Sequence, residues 1–156
     1  MSTPSDTDRI ERSVLIDAPR ERVWRALSNA EEFGTWFGAD LKGQTFAAGE
    51  RARGRVTFPG YEHVWFDIVV ERIEPPSLLS YRWHPYAVDP AVDYSAETPT
   101  LVTFTLNEAP NGATRLTVVE SGFAQLPPDV YAPAYDGNTK GWASELGELV
   151  SYLDAA

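Results

Sequence analysis

The sequence has no cysteine, and its 156 residues include only two histidines and one methionine. Without cysteine the chain can form no disulfide and can offer no thiolate as a nucleophile or metal ligand. The two histidines, His63 and His84, lie on different segments and form no His-Glu-x-x-His motif, so we predict no metal site. We also predict no cofactor, because the scattered glycines form no glycine-rich phosphate loop.

Basic residues are scarce as well, since 13 lysines and arginines are outnumbered by 23 acidic residues. The formal net charge is −10 at pH 7. Phosphate contacts need clustered cations, so this balance argues against nucleic acid and against an anionic membrane as partners. No apolar run has the length of a membrane span, and residues 1–8 lack the basic-then-apolar order of a signal peptide. We therefore expect a cytoplasmic protein with a disordered lead over residues 1–9 and a single domain over residues 10–156.

The clearest periodic pattern lies near the C-terminus, where four large apolar residues recur at i, i+4, i+7 and i+11: Trp142, Leu146, Leu149 and Leu153. At about 100° per residue these side chains share one narrow stripe. The spacing predicts an amphipathic helix over residues 138–153. Prolines interrupt the segment 122–135, which we expect to be a loop with one helical turn from Asp129.

In the middle of the chain, apolar and polar residues alternate with a period of two, which is typical of β-strands. We predict strands over residues 10–16, 51–58, 64–73, 78–83, 100–106 and 114–121. Two short helices follow the first strand; Asn29 caps the second, and Glu32 three residues later completes a capping-box pattern. Consecutive strands with helices at the two ends of the run indicate an α+β fold with an antiparallel sheet.

Several segments resemble one known group of proteins. They are I-D-A-P-R-E-R-V-W-R-A-L, I-E-P-P-S-L-L-S-Y-R-W, V-V-E-S-G-F and the closing G-W-A-S-E-L-G-E-L-V-S-Y-L. These segments resemble the START-like (SRPBCC, birch-pollen-allergen-like) superfamily, and within it the bacterial single-domain branch related to the activator of heat-shock-protein-ninety ATPase. The resemblance extends over about residues 10–153. It implies the helix-grip fold, a curved antiparallel sheet of about six or seven strands around the C-terminal helix, often with an apolar cavity between them.

Glu120 is the acid that could carry chemistry. It shares one strand face with Leu116 and Val118. If that face lines a cavity, the carboxyl group is desolvated, its pKa rises, and it can act as a general acid or base. The alternative is an acid at the end of a strand that reaches solvent or pairs with an arginine, such as Arg53 or Arg82.

A second group of candidates lies where a predicted strand enters a long proline-rich segment, residues 84–99. We predict that Tyr81 and Trp83 line a pocket with His84 at its mouth, and that the segment covers the entrance as a lid. The alternatives are that Tyr81 and Trp83 are core residues, that His84 is a turn residue, and that the segment is an ordinary surface loop. The predicted ligand-binding residues are Tyr81, Trp83, Val118, Glu120, Trp142, Leu146 and Leu149, and the candidate catalytic residues are Glu120 and His84.

Three hypotheses of function follow. The pattern favours a binding protein over an enzyme, with a small hydrophobic or aromatic molecule, such as a lipid, held between the sheet and the terminal helix. The second hypothesis is a polyketide-cyclase-like or hydrolase-like enzyme that uses Glu120 or His84 as acid or base and Tyr81 as a hydrogen-bond donor. The third, which the resemblance alone implies, is a co-chaperone role with a protein partner.

Overall fold

The computed structural model describes residues 9–84 and 98–155. The strands in these ranges are β1 (Arg9–Ile16), β2 (Arg51–Arg55), β3 (Trp65–Glu74), β4 (Leu78–Trp83), β5 (Thr100–Glu108) and β6 (Thr114–Ser121). The α-helices in the same ranges are α1 (Arg20–Ser28), α2 (Ala30–Phe37) and α3 (Pro128–Ala155). The predicted α+β order, with two short helices after the first strand and a long closing helix, is confirmed.

The strands form one curved antiparallel sheet with the order β1-β6-β5-β4-β3-β2, and α3 packs on it in the helix-grip arrangement. Asn111 and Gly112, at φ values of 65° and 77°, turn the chain between β5 and β6, as the Asn-Gly dipeptide predicts. Positions 85–97 of the predicted lid lie outside the described residues, and so do residues 1–8 of the predicted lead.

The strand β2 is shorter than the predicted segment 51–58, because another part of the chain crosses its end. The backbone N–H of Asp40 donates to the carbonyl of Arg55 at 2.9 Å, and Ala39 forms an isolated bridge with Val56. This crossing is close, since a Cβ atom at Gly54 would lie 1.8 Å from the Asp40 carbonyl oxygen. The glycine in an otherwise alternating strand therefore allows two backbones to approach each other.

The helix α3 begins at Pro128, ten residues before the predicted start at residue 138, so the predicted loop over residues 122–135 is wrong in its second half. Pro128 lies in the first turn, where the missing N–H costs no hydrogen bond. Pro133 interrupts the helical hydrogen bonds inside α3, but aromatic packing supports this part of the helix. The ring of Tyr135 lies 5.3 Å from that of Phe123 and 5.8 Å from that of Tyr131.

The predicted apolar stripe of the last helix is confirmed by its burial. Trp142, Leu146, Leu149 and Leu153 are all buried, whereas Ser144, Glu148 and Ser151 on the other side are exposed. None of the helices in residues 9–84 and 98–155 is long and apolar enough to cross a membrane.

Glu32 connects three helices through its carboxylate. Asn29 caps α2 as predicted, by accepting a hydrogen bond from the Glu32 backbone N–H at 3.0 Å. The Glu32 side chain does not complete the capping box, because it is engaged elsewhere. Its Oε1 accepts hydrogen bonds from the Tyr152 hydroxyl at 2.7 Å and from Arg22 at 2.8 Å, while Oε2 pairs with Arg25 at 3.0 Å. Burial raises the pKa of Glu32, but the hydrogen bonds from Tyr152 and Arg22 and the two arginine charges outweigh it, so the pKa lies below 4.5.

Replacement of Glu32 by glutamine should destabilise the protein in a pH-dependent way. A folded-state pKa below the unfolded value gives stability that is present above about pH 4.5 and is lost as the pH falls through the folded value. We expect Glu32→Gln to lower the free energy of unfolding by about 1–2 kcal/mol at pH 7 and by less at pH 3. Urea denaturation at both pH values measures this, with the exposed Glu21→Gln as the matched control. Equal losses at pH 3 and pH 7 would contradict the assignment.

Candidate functional site

Two tryptophan rings meet between the sheet and the closing helix. The rings of Trp83, at the end of β4, and Trp142, in α3, have centroids 5.8 Å apart and planes tilted by 34°. Phe37 from α2 lies 6.0 Å from Trp83 and 6.1 Å from Trp142. Other rings from the inner face of the sheet surround this pair. We call the whole set the aromatic cluster: Phe37, Phe66, Tyr81, Trp83, Phe104 and Trp142.

Glu120 holds both tryptophans through its carboxylate, which is fully buried. Oε2 accepts hydrogen bonds from Trp83 Nε1 at 2.7 Å and from the Thr100 hydroxyl at 2.6 Å. Oε1 accepts from Trp142 Nε1 at 2.8 Å and from Asn138 Nδ2 at 2.7 Å. Each carboxylate oxygen therefore has two donors, which fills its hydrogen-bonding capacity.

The register of the sheet explains how these groups meet. Val102 of β5 lies opposite Glu120 of β6 and opposite Tyr81 of β4, and Thr100 lies opposite Trp83. Residues two apart on a strand point to the same face, so these side chains all belong to the inner face of the sheet. The helix α3 then brings Asn138 and Trp142, four residues apart, onto the same carboxylate.

The structure brings together four of the predicted ligand-binding residues, Tyr81, Trp83, Glu120 and Trp142. Val118, Leu146 and Leu149 are buried in the same core. The alternative partners of Glu120 lie elsewhere, since Arg53 pairs with Asp67 at 3.6 Å and Arg82 with Glu71 at 3.4 Å. His84 follows β4 directly and is half-buried, and it is not one of the four residues that donate to Glu120.

Thr100, Asn138 and Glu145 were missed by sequence reasoning. Asn138 lies four residues before Trp142, and Glu145 lies three residues after it, so both border the apolar stripe at helical spacing. The helical spacing from Trp142 is therefore a signal in the sequence that could have identified Asn138 and Glu145. The contact of Thr100 depends on the pairing register of three strands, which a single sequence does not reveal.

Two buried polar atoms in this region lack a hydrogen-bond partner among the described residues, the hydroxyl of Tyr81 and Oε2 of Glu145. Burial raises the pKa of Tyr81 well above its usual value, and the charges of Glu120 and Glu145 raise it further. Burial also raises the pKa of Glu145 to about 8, with a further contribution from the charge of Glu148.

The fold and the sequence together show the family. The family model for activator of Hsp90 ATPase homolog 1-like proteins matches residues 17–154. The chain belongs to this family. The predicted membership of the START-like superfamily is thereby confirmed.

Solved structures agree with this assignment. Protein MLL2253 from Mesorhizobium loti is 31% identical, with 95% of this chain and 98% of that chain covered and a TM-score of 0.72. DynU16, described as a putative protein in the dynemicin biosynthetic locus, is 27% identical with a TM-score of 0.70; the match covers 94% of this chain but only 47% of DynU16. The Aha1 dimer from Colwellia psychrerythraea shares the fold at 18% identity, with 90% and 92% of the two chains covered and a TM-score of 0.66. No curated protein matches the sequence.

Replacement of Glu120 by glutamine should disrupt the carboxylate centre, by which we mean the Glu120 carboxylate and its four hydrogen-bond donors. The carbonyl oxygen of the new amide still accepts hydrogen bonds, but its NH2 group cannot, so two of the four donors lose their acceptor. We expect Glu120→Gln to lower the free energy of unfolding by about 1.5–3 kcal/mol and to change the near-ultraviolet circular dichroism of the tryptophans. Urea denaturation with Glu71→Gln, on the outer face of β3, as a matched control measures the effect. A loss no larger than that of the control would contradict the described network.

Glu145 should make the protein less stable as the pH rises. Its folded-state pKa of about 8 exceeds the usual 4.5, so the stability it gives is complete below about pH 4.5 and is lost as the pH rises through 8. Glutamine stays neutral throughout, and we expect Glu145→Gln to have a Tm about 2–4 °C above the natural protein at pH 8. At pH 4 the two should melt together. A Tm difference that is the same at pH 4 and pH 8 would refute the assignment, and Glu71→Gln again serves as control.

Proposed function

We propose that the protein binds a small aromatic or otherwise hydrophobic molecule between the inner face of the sheet and α3. The observation that carries the proposal is the attachment of two tryptophans, Trp83 and Trp142, to one buried carboxylate. Residues of the same core, Val118, Leu146 and Leu149, would supply apolar contacts. Ligand sites are commonly built in this way, mostly from apolar side chains with a few placed polar groups.

The free-energy cost of burying the Glu120 carboxylate supports a functional role for this arrangement. Burial of a carboxylate is unfavourable unless all of its hydrogen bonds are made, and four residues are used to make them here. A core that needed only to be filled could use phenylalanine or leucine at the two tryptophan positions. The carboxylate instead fixes the orientation of both indole rings, and rings that are already fixed reduce the side-chain entropy that the protein loses when a ligand binds.

The same geometry supports an anchoring role for Glu120 over the alternative of acid–base catalysis. A general base needs an oxygen that can accept a proton from the substrate. Both oxygens of Glu120 already accept two hydrogen bonds each. We therefore favour binding without turnover, and the roles of His84 and Tyr81 in an enzyme stay predictions.

A protein partner and a cytoplasmic location also stay predictions from the sequence and its resemblance. The assembly of the relative from Colwellia psychrerythraea into a dimer is a property of that protein.

Indole N–H signals in a two-dimensional ¹H–¹⁵N NMR spectrum test the proposal directly, because the chain has five tryptophans. Titration with a panel of one-ring and two-ring aromatic compounds should shift the signals of Trp83 and Trp142. Trp65 is the internal control, since its ring lies on the outer face of the sheet between Arg53 and Arg55, whose guanidinium carbons are 4.0 and 4.4 Å from its centroid.

Substitutions sharpen this test. We expect Trp142→Leu to weaken binding of a compound from the panel by about tenfold or more, because it removes one wall and one donor to Glu120. Trp65→Leu should leave the affinity unchanged, and the dispersion of the spectra shows whether each variant is folded. A panel that leaves Trp83 and Trp142 unmoved, or that moves only Trp65, would refute the proposed function.

A further inference from the structure

The two edge strands of the described sheet, β1 and β2, differ in how their open sides are covered. At β2, the side chain of Gln44 forms two hydrogen bonds with the backbone of Arg53. Its Nε2 donates to the carbonyl at 2.7 Å, and its Oε1 accepts from the N–H at 3.0 Å. The backbone N–H of Asp40 donates to the carbonyl of Arg55 two residues further on. The chain itself therefore occupies backbone groups of this edge, which hinders pairing with another chain.

The strand β1 is a regular edge strand without such protection in its own sequence. All of its residues pair with β6 in an unbroken register, from Arg9 opposite Ser121 to Ile16 opposite Thr114. The strand thus contains no bulge, and it contains no proline or glycine. Bulges and prolines are features that keep edge strands from pairing with another chain. The open side of β1 is therefore suited to accept a further strand along its whole length.

Two hydrogen bonds show which backbone groups lie on this open side. The carbonyl of Arg9 accepts from the Tyr135 hydroxyl at 3.0 Å, and the carbonyl of Glu11 accepts from the Arg12 guanidinium at 3.2 Å. Since side chains reach both acceptors, we place them on the side that faces away from β6. Backbone groups of every second residue point to the same side of an antiparallel strand. The N–H and C=O groups of Ser13 therefore face the open side as well.

The charge of this edge differs from that of the whole chain. Residues 9–17 contain two basic and two acidic residues, so the segment is neutral although the net charge of the chain is −10. Leu15, on the outer face of β1, is 54% exposed. A neutral edge with an exposed leucine favours contact with a second neutral edge over contact with a charged one. The four charged residues are Arg9, Glu11, Arg12 and Asp17.

A second copy of β1 matches this charge pattern when Ser13 lies on the two-fold axis. Antiparallel pairing of two identical strands places one residue on the axis, and that residue decides which side chains lie opposite each other. With Ser13 there, Glu11 lies opposite Leu15 of the second copy. Arg9 lies opposite Asp17, so opposite charges meet at both ends of the paired strands. The open-side N–H and C=O groups of Ser13 bond to those of its own copy.

Neighbouring registers are less favourable. An axis at Glu11 or at Arg12 places that charged residue opposite itself, and an axis at Val14 places Glu11 opposite Asp17. Like charges directly opposite each other destabilise a pair of strands. Axes nearer the ends of β1 pair fewer of its residues. Charge complementarity over the full strand therefore selects the axis at Ser13.

We propose that two copies of the chain associate through β1, paired antiparallel about an axis at Ser13, so that their sheets join into one. The occupant of this edge is thus a second copy of the same chain. The inference is independent of the proposed function, because the inner face of the sheet between β4 and α3 takes no part in the pairing.

Sedimentation velocity of the full chain, from low to high micromolar concentration, tests the association. We expect a monomer that converts into a dimer as the concentration rises. Ser13→Pro removes an N–H on the open side and leaves the hydrogen bonds between β1 and β6 in place, so this variant should stay monomeric. Near-ultraviolet circular dichroism shows whether it is folded, and the charge variants below decide the matter if it is not.

A charge exchange tests the register. Arg9→Asp or Asp17→Arg alone places like charges opposite each other at both ends, and each should raise the Kd of the dimer about tenfold or more. In a mixture of these two variants, positions 9 and 17 of a mixed dimer carry opposite charges at both ends. Mixing should therefore restore association, with one variant ¹⁵N-labelled so that native mass spectrometry identifies the mixed dimer. Lys42→Asp, at an exposed residue far from β1 in the sequence, is the control for the same change of charge.

Each outcome separates this inference from other forms of association. A chain that stays monomeric at every concentration would overturn it. A dimer that persists in folded Ser13→Pro would assign the association to another surface and also overturn it. Charge variants that weaken the dimer no more than Lys42→Asp, with no preference for the mixed dimer, would overturn the register at Ser13. Binding of the aromatic panel is measured separately and stands or falls without it.

Discussion

The buried carboxylate of Glu120 is the interaction on which the arrangement of this protein's interior depends. Its two oxygens connect β4, β5 and α3 to β6 through four short hydrogen bonds. A sheet and a helix that pack only through apolar contacts can slide by small amounts, since such contacts are not directional. Hydrogen bonds to a charged acceptor are directional and stronger, so they fix both the position of α3 and the orientation of Trp83 and Trp142.

The interior holds a second acid whose hydrogen bonding differs from that of Glu120. Both oxygens of Glu120 have donors from the chain, whereas the buried Oε2 of Glu145 has no hydrogen-bond partner among the described residues. Burial and the charge of Glu148 raise the pKa of Glu145 to about 8, so its ionisation makes the stability of the folded chain depend on pH. Glu120 thus fixes side chains in place, while Glu145 responds to pH.

Much of the fold and of the site around Glu120 could be predicted from the sequence wherever local periodicity was sufficient. The period of two placed Glu120 on the face of Leu116 and Val118, and the helical period placed Trp142 on the buried stripe. The start of α3 was misplaced because Pro133 reads as a helix breaker, and packing of Tyr135 on Phe123 overrides it. The contact of Thr100 with Glu120 and the burial of Glu145 depend on strand register and on the approach of α3 to the sheet. These are tertiary properties, and no local pattern encodes them.

The length of α3 has a mechanical consequence. Its 28 residues form a rod of about 42 Å that touches the sheet at well-separated points. The Tyr135 hydroxyl donates to the backbone carbonyl of Arg9 at 3.0 Å, and Trp142, two turns further on, belongs to the carboxylate centre. No proline interrupts the helix between these two residues, so one continuous stretch of α3 joins the two contacts. This stretch of helix therefore connects the carboxylate of Glu120 to β1, an edge strand of the described sheet, and edge strands are the places where a sheet can pair with another chain.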